Sequence, residues 1–322
     1  MIDTVFEFLK RHNSLILTTH DTADADGLGA ELVFAHIART QGKQVRIVNS
    51  SPIPQNFRFI DPKNSIEIWN TVKLPKEAAL VILDTADEYN IGELRELILF
   101  ASEVFVIDHH EPNKFCTLKG CIDPTASSTS EMAVELAMAA GIQLPIECAA
   151  AAYAGIVYDT GFFAYSKTTG RTFRAALSLV EAGVKPYEIY TEFKENGSSG
   201  ALLLEKRVLS SLEIYNNGRV AVQILRKADL EATGAYVEDA ETFINVPLQS
   251  KDIEVSVLLK ENKEGQIRCS LRSKGKINVS KIAQSLGGGG HVAAAGFKSK
   301  LSLEETLRVI LERVTEALDK ND

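Results

Sequence analysis

Short, continuous runs of apolar residues recur through the first part of the chain, and a stretch with helical periodicity follows most of them. Runs of this kind indicate strands that are buried on both faces, and the alternation predicts an α/β fold with a mostly parallel sheet and helices on both faces. The predicted strands are Leu15–Thr18, Val45–Val48, Leu80–Leu83 and Val104–Ile107, and the predicted helices between them are Leu28–Thr40 and Ile91–Phe100.

The second part of the chain has a different pattern. Helical periodicity dominates from Thr129 to about Leu212, and the small polar residues Asn196–Gly200 interrupt it as a linker would. We therefore expect a first domain over residues 1–195, a linker and connecting helix over 196–214, and a smaller mixed α/β domain over 215–322. The strands predicted for the smaller domain are Val220–Leu225, Ile253–Leu259, Ile267–Leu271 and Ala294–Phe297, and its helices are Val279–Leu286 and Leu303–Leu318.

Composition narrows the class of protein. No apolar run approaches the roughly 20 residues that a membrane span requires, and the N-terminus carries an acid where a signal peptide would carry positive charge. Without a C-x-x-C pair, the cysteines of so large a chain are expected to be reduced core residues. These features predict a cytoplasmic protein with no membrane partner. The four cysteines are Cys116, Cys121, Cys148 and Cys269.

Charge is distributed unevenly. Acids outnumber bases over residues 1–200, whereas the remainder is nearly balanced, and the net charge is −8. The segment Gln266–Lys300 contains seven basic residues and no acid. Such a segment indicates a local anion site rather than the long basic footprint that duplex nucleic acid requires. A solvated surface without acids is the alternative.

Four short segments rich in acids and histidines lie far apart in the sequence. They are His20–Asp26, Leu83–Asp84, Asp108–His110 and Tyr158–Gly161, and the first three each follow a predicted strand. Because ligands gather at the carboxyl ends of parallel strands, we expect the segments to converge at one edge of the sheet. Crowded carboxylates repel one another and are costly to desolvate, so the cluster requires cations. Two histidines with mostly carboxylates suit Mn²⁺ or Mg²⁺ better than Zn²⁺.

Some of these residues also have an ordinary structural explanation. Asp24 could cap the helix predicted at Leu28–Thr40, Asp84 could simply begin a loop, and Asp159 could mark a helix end. Asp108–His110 is more specific, because adjacent histidines behind an acid rarely arise from packing. One imidazole can bind a metal while its neighbour faces the substrate, with the acid orienting a ring.

The ordered set H-x-x-x-D-x-D, D, D-H-H and D-T-G resembles the DHH phosphoesterase family over nearly the whole chain. Ser270–Ser273 and the segment Gly287–Gly296, which reads GGGGHVAAAG, resemble the DHH-associated C-terminal domain that closes over the metal site. Together the two motif sets most resemble the NrnA-like group of bacterial oligoribonucleases. This resemblance implies hydrolysis of very short RNA to mononucleotides and of 3′-phosphoadenosine 5′-phosphate to AMP.

The resemblance also implies a role for each residue at a motif position. His20, Asp24 and Asp84 would bind one divalent ion, Asp84 would bridge to a second, and His110 would contact the scissile phosphate. The implied metal ligands are His20, Asp24, Asp26, Asp84, His109 and Asp159. The implied catalytic residues are His110, Asp84 and Asp108. The implied substrate-binding residues are Arg272, Ser273, Gly288, Gly289, Gly290 and His291.

The implied chemistry uses two divalent ions, with Mn²⁺ preferred and Mg²⁺ or Co²⁺ as alternatives. Two ions about 4 Å apart lower the pKa of a bridging water and align it for in-line attack on phosphorus. Two departures from the family pattern are Phe162, where many relatives carry a basic residue, and Ala23, where Pro is common.

Short oligonucleotides or phosphorylated nucleotides would be the partners, and the family is compatible with a homodimer. The alternatives are a phosphodiesterase for linear dinucleotides derived from cyclic di-AMP, a pyrophosphatase, and a non-catalytic nucleic-acid-binding scaffold. A non-catalytic scaffold would be expected to lack some of the metal ligands, and this sequence retains all of them. A pyrophosphatase is disfavoured, because the GGGGH segment suits a substrate that carries a nucleotide.

Overall fold

The computed structural model describes residues 2–69, 77–111, 118–262, 265–290 and 292–320. The chain forms two compact units, residues 1–195 and residues 196–322, each built around its own sheet. The first unit ends after a helix, and the next helix begins at Ser199, so the predicted linker over Asn196–Gly200 is partly helical. The reason is local: the Ser198 side chain accepts a hydrogen bond from the backbone N–H of Ala201 and caps this helix.

The sheet of the first unit has six strands, all parallel, in the order β3-β2-β1-β4-β5-β6. The four predicted strands are its four longest, and two three-residue edge strands were not predicted because they are too short to show a period. The strands are β1 Ser14–Thr18, β2 Gln44–Asn49, β3 Ile66–Ile68, β4 Ala79–Leu83, β5 Val104–Asp108 and β6 Gly120–Ile122.

The α-helices described in the first unit include a central pair, Ala25–Thr40 and Ile146–Asp159, whose members pack against each other. The central pair packs closely because small residues line the contact: a Cβ at Gly29 would lie 2.6 Å from the carbonyl oxygen of Ala151. This glycine lies inside a helix, where its lack of a side chain allows the close packing. The helices are α1 Ile2–Arg11, α2 Ala25–Thr40, α3 Thr129–Ala139, α4 Ile146–Asp159, α5 Gly170–Glu181 and α6 Pro186–Lys194.

One predicted helix, Ile91–Phe100, is wrong. The segment Glu88–Leu99 forms 3₁₀ turns, and its helical path is broken at Gly92, where φ is 61° and ψ is −137°. A Cβ at Gly92 would lie 2.9 Å from Ser50 Oγ, so the chain turns where only glycine fits. Another 3₁₀ segment covers Gln55–Ile60.

The second unit contains a mixed sheet in the order β11-β12-β10-β9-β8-β7, in which β8 and β9 are parallel and the other pairs antiparallel. Its strands are β7 Glu213–Tyr215, β8 Val220–Leu225, β9 Val255–Glu261, β10 Ile267–Ser273, β11 Gly289–Gly290 and β12 Ala294–Ser299. Its helices are α7 Ser199–Ser210, α8 Lys227–Thr233, α9 Val279–Ser285 and α10 Leu303–Asp319. Four 3₁₀ turns cover Asn216–Gly218, Val237–Ala240, Phe243–Asn245 and Pro247–Gln249.

The two faces of the second sheet differ. One face packs against α9 and α10, with Cys269 and Leu271 of β10 buried against Ile310. On the other face, the described residues form an apolar cluster at the β8–β9 side, which includes Leu258 and Phe243. The α/β prediction is confirmed for both units. Within the described ranges, no helix is both long and apolar enough to cross a membrane.

Candidate metal centre

The centre lies where three neighbouring parallel strands of the first unit end. His20 follows β1, Asp84 follows β4 directly, and His109 follows β5 directly. The start of α2 contributes two further carboxylates and the end of α4 contributes Asp159. The predicted convergence of the four segments therefore takes place at the carboxyl edge of the sheet.

Two groups of ligand atoms share Asp84. Its Oδ2 lies 3.5 Å from Nε2 of His20, which is itself 3.7 Å from Oδ1 of Asp24. Its Oδ1 lies 3.5 Å from Nε2 of His109. The two carboxylate oxygens of Asp84 thus face two different sets of ligands, which is the arrangement of a bridging carboxylate.

The second group is centred on His109. Its Nε2 lies 3.1 Å from Oδ2 of Asp159 and 3.8 Å from Oδ2 of Asp26. His110 joins Asp84 and His109 in a third set, and within each of the three sets the ligand atoms all lie within 4.8 Å of one another. All six predicted metal ligands are therefore brought together, although their role in binding metal remains a prediction.

The donor set fits divalent cations. His109 is 3% exposed, and within the described residues neither of its ring nitrogens makes a hydrogen bond of good geometry, although Nε2 lies close to the Asp159 carboxylate. Asp26 and Asp84 are likewise buried, at 0% and 2% exposure. Unpaired buried polar groups are costly, and several oxygens with one or two imidazoles are the ligands that hard divalent ions accept.

The electrostatics support the same interpretation. Burial, and then the charge of Asp26, raise the pKa of Asp84 to about 8, and burial raises the pKa of Asp159 to about 6. Burial alone would lower the pKa of His109, but Asp159, Asp84 and Asp26 outweigh it and raise that pKa to about 10. Without a cation the carboxylates must therefore share protons, which a bound divalent ion would displace.

Asp108 orients the second histidine of the triplet. Its Oδ1 accepts hydrogen bonds from Nδ1 of His110 at 2.7 Å and from the backbone N–H of His110 at 3.1 Å. Burial raises the pKa of Asp108, but His110 outweighs it and holds that pKa below its ordinary value. The pair fixes the imidazole ring beside the metal ligands, as the sequence predicted for an acid behind adjacent histidines.

The N-terminus of α3 holds two of the ligands, and the sequence alone did not predict it. The backbone N–H groups of Thr129 and Ser130 each donate to the Asp26 carboxylate at 2.7 Å, and Thr129 Oγ1 donates to Asp84 Oδ1 at 2.9 Å. A helix N-terminus favours negative charge, so it stabilises these carboxylates. The signal was the S-x-x-E capping pattern at Ser128–Glu131, which indicates only the start of a helix.

Asp24 caps α2, which was the structural alternative to a role in metal binding. Its Oδ1 accepts hydrogen bonds from the backbone N–H groups of Asp26 at 2.9 Å and Gly27 at 3.2 Å, and so caps α2. It nevertheless belongs to the ligand set of His20 and Asp84. Capping and ligation are therefore compatible, because a carboxylate has more acceptor positions than a cap uses.

Two of the predicted substrate-binding residues lie on β10 of the second unit. Arg272 is half-buried, and its Nη1 donates to the carbonyl oxygen of Leu271 at 3.1 Å. The hydroxyl of Ser273 donates to the carbonyl oxygen of Ile277 at 2.7 Å and accepts from the N–H of Gly275 at 3.3 Å. The hydroxyl thus stabilises a turn, and the role of both residues towards substrate remains a prediction.

The glycine-rich segment packs against β12. Gly289 and Gly290 pair with Gly296 and Ala295 to form a short antiparallel ladder, and a Cβ at Gly288 would overlap the carbonyl oxygen of Gly296. The glycines are required for this close approach of two backbones. His291 lies outside the described residues, and the predicted phosphate contacts of Gly288–Gly290 remain untested.

Phe162, one of the two departures from the family pattern, is used in packing. It adopts a φ of 57°, and its ring contacts Tyr190 and Phe193 of α6 edge-on, at centroid distances of 5.5 Å and 5.9 Å. Another cation lies beside the centre instead: Nζ of Lys167 is 3.3 Å from the carbonyl oxygen of His109. Position 162 thus attaches α6, and Lys167 was not among the residues predicted for the site.

Two family descriptions match this chain. Residues 14–156 match the DHH family, N-terminal domain, and residues 217–320 match the DHHA1 domain. The first match covers the segments around His20, Asp84 and His109, and ends three residues before Asp159. The second covers β8 to α10.

Individual proteins match over nearly the whole chain. The bifunctional oligoribonuclease and PAP phosphatase NrnA of Thermus thermophilus is 30% identical over 325 residues, which cover 98% of this chain and 94% of the relative. The cyclic-di-AMP phosphodiesterase GdpP of Bacillus subtilis is 27% identical over 331 residues, 98% of this chain but 49% of that protein. The crystal structure of an exopolyphosphatase-related protein from Bacteroides fragilis superposes with a TM-score of 0.90 at 27% identity, covering 98% and 95% of the two chains.

Proposed function

Because this chain belongs to the DHH family of phosphoesterases and carries a DHHA1 domain, we propose that it hydrolyses very short oligoribonucleotides to mononucleotides and 3′-phosphoadenosine 5′-phosphate to AMP. The Thermus relative, whose name states an oligoribonuclease and a PAP phosphatase, matches over both units. Both substrates present a phosphate ester beside a nucleoside, so one centre serves both reactions.

The single observation that carries the proposal is the placement of Asp84. Each of its oxygens lies 3.5 Å from the Nε2 atom of a different histidine, His20 on one side and His109 on the other. When two divalent ions are bound, they supply an activated water and neutralise charge on the phosphate that is attacked. Asp84 would hold both ions at one fixed separation.

The remaining residues of the centre position the substrate and exclude water. His110, whose ring is fixed by Asp108, lies at the exposed side of the cluster, with 31% of its side chain accessible, and would donate to a phosphate oxygen. Burial of Asp26 and His109 keeps bulk water from the inner ligands. Lys167 adds positive charge at the same edge, where a phosphate would enter.

We propose Mn²⁺ as the preferred ion, with Mg²⁺ or Co²⁺ as alternatives. Two imidazoles among carboxylates favour Mn²⁺ over Mg²⁺, which is usually held by one or two carboxylates and waters. The same donors make Zn²⁺ a poorer fit, because its sites are richer in Cys and His. Restoring activity to chelator-treated protein with each ion in turn would rank them.

Hydrolysis of linear dinucleotides derived from cyclic di-AMP is the second candidate. The match to a cyclic-di-AMP phosphodiesterase favours it, although this chain spans about half of that protein. The centre alone does not discriminate, because such a dinucleotide also presents a phosphodiester between nucleosides.

The deciding experiment compares Mn²⁺-dependent turnover of a labelled RNA dinucleotide, 3′-phosphoadenosine 5′-phosphate, the linear di-adenylate pApA and pyrophosphate, with Asp84→Ala as the control. Release of mononucleotides and AMP that is abolished in the variant supports the proposal. Turnover of pApA alone supports the second candidate. Turnover of pyrophosphate alone contradicts both.

A further inference from the structure

Three cations lie side by side across three adjacent strands of the second unit. Arg268 on β10 is paired in register with Lys260 of β9 on one side and with Lys298 of β12 on the other. Residues paired in register point to the same face of a sheet, with Cβ atoms about 5 Å apart in antiparallel pairs. The three side chains thus form a row, which we call the cation row.

The cation row lies on the face that α9 and α10 do not cover. The alternate residues of β10, which include Cys269 and Leu271, are buried against those helices, so Arg268 and Arg272 project from the opposite face. Lys298 and Arg268 are exposed, and Lys260 is half-buried. The surface is therefore open to solvent at Arg268 and Lys298, whereas Lys260 shares its face of β9 with Leu258, which packs against Phe243.

The described strands of the sheet place no acid on the face of the row, and the two acids that influence Lys260, Glu238 and Glu241, lie outside the strands. No acidic residue of β8, β9, β10 or β12 points to this face, since Glu261 belongs to the alternate set of β9. None of the three cations forms an ion pair within the part of the chain that the structure describes. Burial, and then the charges of Arg268 and Arg272, lower the pKa of Lys260, although Glu241 and Glu238 act in the opposite direction.

Like charges directly opposite one another destabilise a sheet, so an unpaired row of three needs a reason. An anionic ligand would turn the repulsion into attraction, because one phosphate group could contact neighbouring members of the row. The residue types also fit: Arg offers a planar fork and Lys a point charge, and both are usual phosphate ligands.

The position of the row relative to Arg272 identifies the kind of anion. Arg268 and Arg272 are four residues apart on the same strand and face, which corresponds to about 13 Å. That distance is longer than a single nucleotide unit, so a nucleotide held at Arg272 would not reach the row. A longer strand would carry another phosphate to it.

We propose that Lys260, Arg268 and Lys298 form a second phosphate-binding subsite, which contacts the backbone of an oligonucleotide beyond the residues held near Arg272. This inference rests on the proposed function, and it assigns a preference: the row contributes to binding of strands longer than a dinucleotide. Dinucleotides and 3′-phosphoadenosine 5′-phosphate are too short to use it.

The test compares Arg268→Gln, Lys298→Gln and the double variant with the unmodified protein. Lys281→Gln is the matched control, because Lys281 is an exposed cation of the same acid-free segment but lies on α9, on the other side of the sheet. For each protein, kcat/KM is measured with Mn²⁺ on an RNA dinucleotide, an RNA pentanucleotide and 3′-phosphoadenosine 5′-phosphate, over a range of salt concentrations.

We expect the double variant to lose about tenfold in kcat/KM on the pentanucleotide and less than about twofold on the two short substrates. The slope of log kcat/KM against log salt for the pentanucleotide should become shallower by about 0.7 for each cation removed. Lys281→Gln should change neither value. Equal losses on all substrates, or no loss on the pentanucleotide, would overturn the proposal.

A binding measurement separates this proposal from the proposed function. Fluorescence anisotropy of a labelled RNA pentanucleotide in EDTA requires no turnover. If the unmodified protein cleaves none of the substrates, the proposed function fails, and weaker binding by the double variant than by Lys281→Gln still supports the subsite. If the two variants bind equally, the subsite is wrong whether or not the protein cleaves RNA.

Discussion

The two units gather like charges in opposite ways. The metal centre crowds four carboxylates at the carboxyl edge of the first sheet, and two of them, Asp26 and Asp84, are almost inaccessible to solvent. The cation row sets three bases along a sheet face that is open to solvent on the Arg268 and Lys298 side. In both arrangements the like charges repel one another, but only those of the metal centre are largely shielded from water.

Burial decides how strongly each arrangement depends on a partner. A carboxylate in the interior lacks water to solvate it, so it must be paired, protonated or bound to a cation. An exposed lysine remains hydrated and screened, so its repulsion costs a few tenths of a kcal/mol. We therefore expect large, salt-insensitive effects at the metal centre and small, salt-sensitive effects at the row.

The largest effect is expected at Asp84. Asp84→Asn should lower Mn²⁺-dependent hydrolysis by at least about 100-fold, the upper end of the loss seen when mere outer partners of a metal site are removed. In EDTA and above pH 8, where the carboxyl of Asp84 with its pKa of about 8 is ionised, the same variant should unfold at higher urea than the unmodified protein, because the substitution removes a buried charge beside Asp26. Steady-state kinetics and urea denaturation in EDTA measure the two changes.

Asp21→Asn is the matched control for this variant. Asp21 lies in the same loop as His20, but its Oδ1 accepts hydrogen bonds from Ser50 and Ser51 instead of facing either ligand set. We expect less than about threefold loss of activity. If Asp84→Asn destabilised the protein in EDTA, the description of the centre as repulsive without metal would be wrong.

The sequence predicted the metal centre better than the cation row because the two depend on different information. A buried parallel strand is visible as an apolar run, and its end places His20, Asp84 or His109 at the sheet edge without knowledge of the neighbouring strands. Arg268 faces Lys260 and Lys298 only through strand register, and register depends on turns and pairing that a single sequence leaves open. The sequence shows the acid-free segment, but it does not show which cations lie side by side on the sheet.

The errors and omissions within the first unit have similar causes. Gly92 breaks a segment whose periodicity is helical, because the backbone there must pass close to Ser50. Thr129 looks like any residue at a helix start, and its contacts with Asp26 and Asp84 join positions far apart in the chain. Local patterns predict elements, whereas tertiary contacts assign a second use to ordinary residues.

The second-largest effect is expected at Thr129. Its hydroxyl is the protein donor to Asp84 Oδ1, so Thr129→Val should weaken Mn²⁺ binding by about 10- to 100-fold, the usual loss when an outer partner of a ligand is removed. Thr129→Ser keeps the hydroxyl and should restore affinity to within about threefold. Isothermal titration calorimetry of the metal-free proteins measures this directly, and equal affinities of the Val and Ser variants would show that the hydroxyl does not position Asp84.

A smaller effect is expected at Glu31, a carboxyl that is buried near the centre but outside the ligand sets. One oxygen accepts a hydrogen bond from Asn49, the other has no hydrogen-bond partner among the described residues, and burial raises the pKa of Glu31 from 4.5 to about 8. Because the folded state holds this proton more tightly than the unfolded state does, the unfolding free energy falls as pH rises from 4.5 to about 8, by about 1.4 kcal/mol per pH unit.

Glu31→Gln removes this dependence. Urea denaturation in EDTA across that range should show a shallower fall in unfolding free energy for the variant than for the unmodified protein, by at most this slope. Glu181→Gln, which alters an exposed carboxylate at the end of α5, should retain the steeper fall. Parallel curves for the unmodified protein and Glu31→Gln would contradict the raised pKa.

The smallest effect is expected at Lys298. It tests whether repulsion within the cation row is weak and sensitive to salt. Lys298→Gln removes one of two cations opposite Arg268, so it should raise the unfolding free energy by about 0.2–0.5 kcal/mol at low salt. At about 1 M salt, where the screening length is about 3 Å, the gain should vanish, whereas the EDTA effect of Asp84→Asn should persist because that charge is buried. Urea denaturation of both variants at the two salt concentrations measures this. A gain for Lys298→Gln that survives high salt would mean that packing, not repulsion, governs the row.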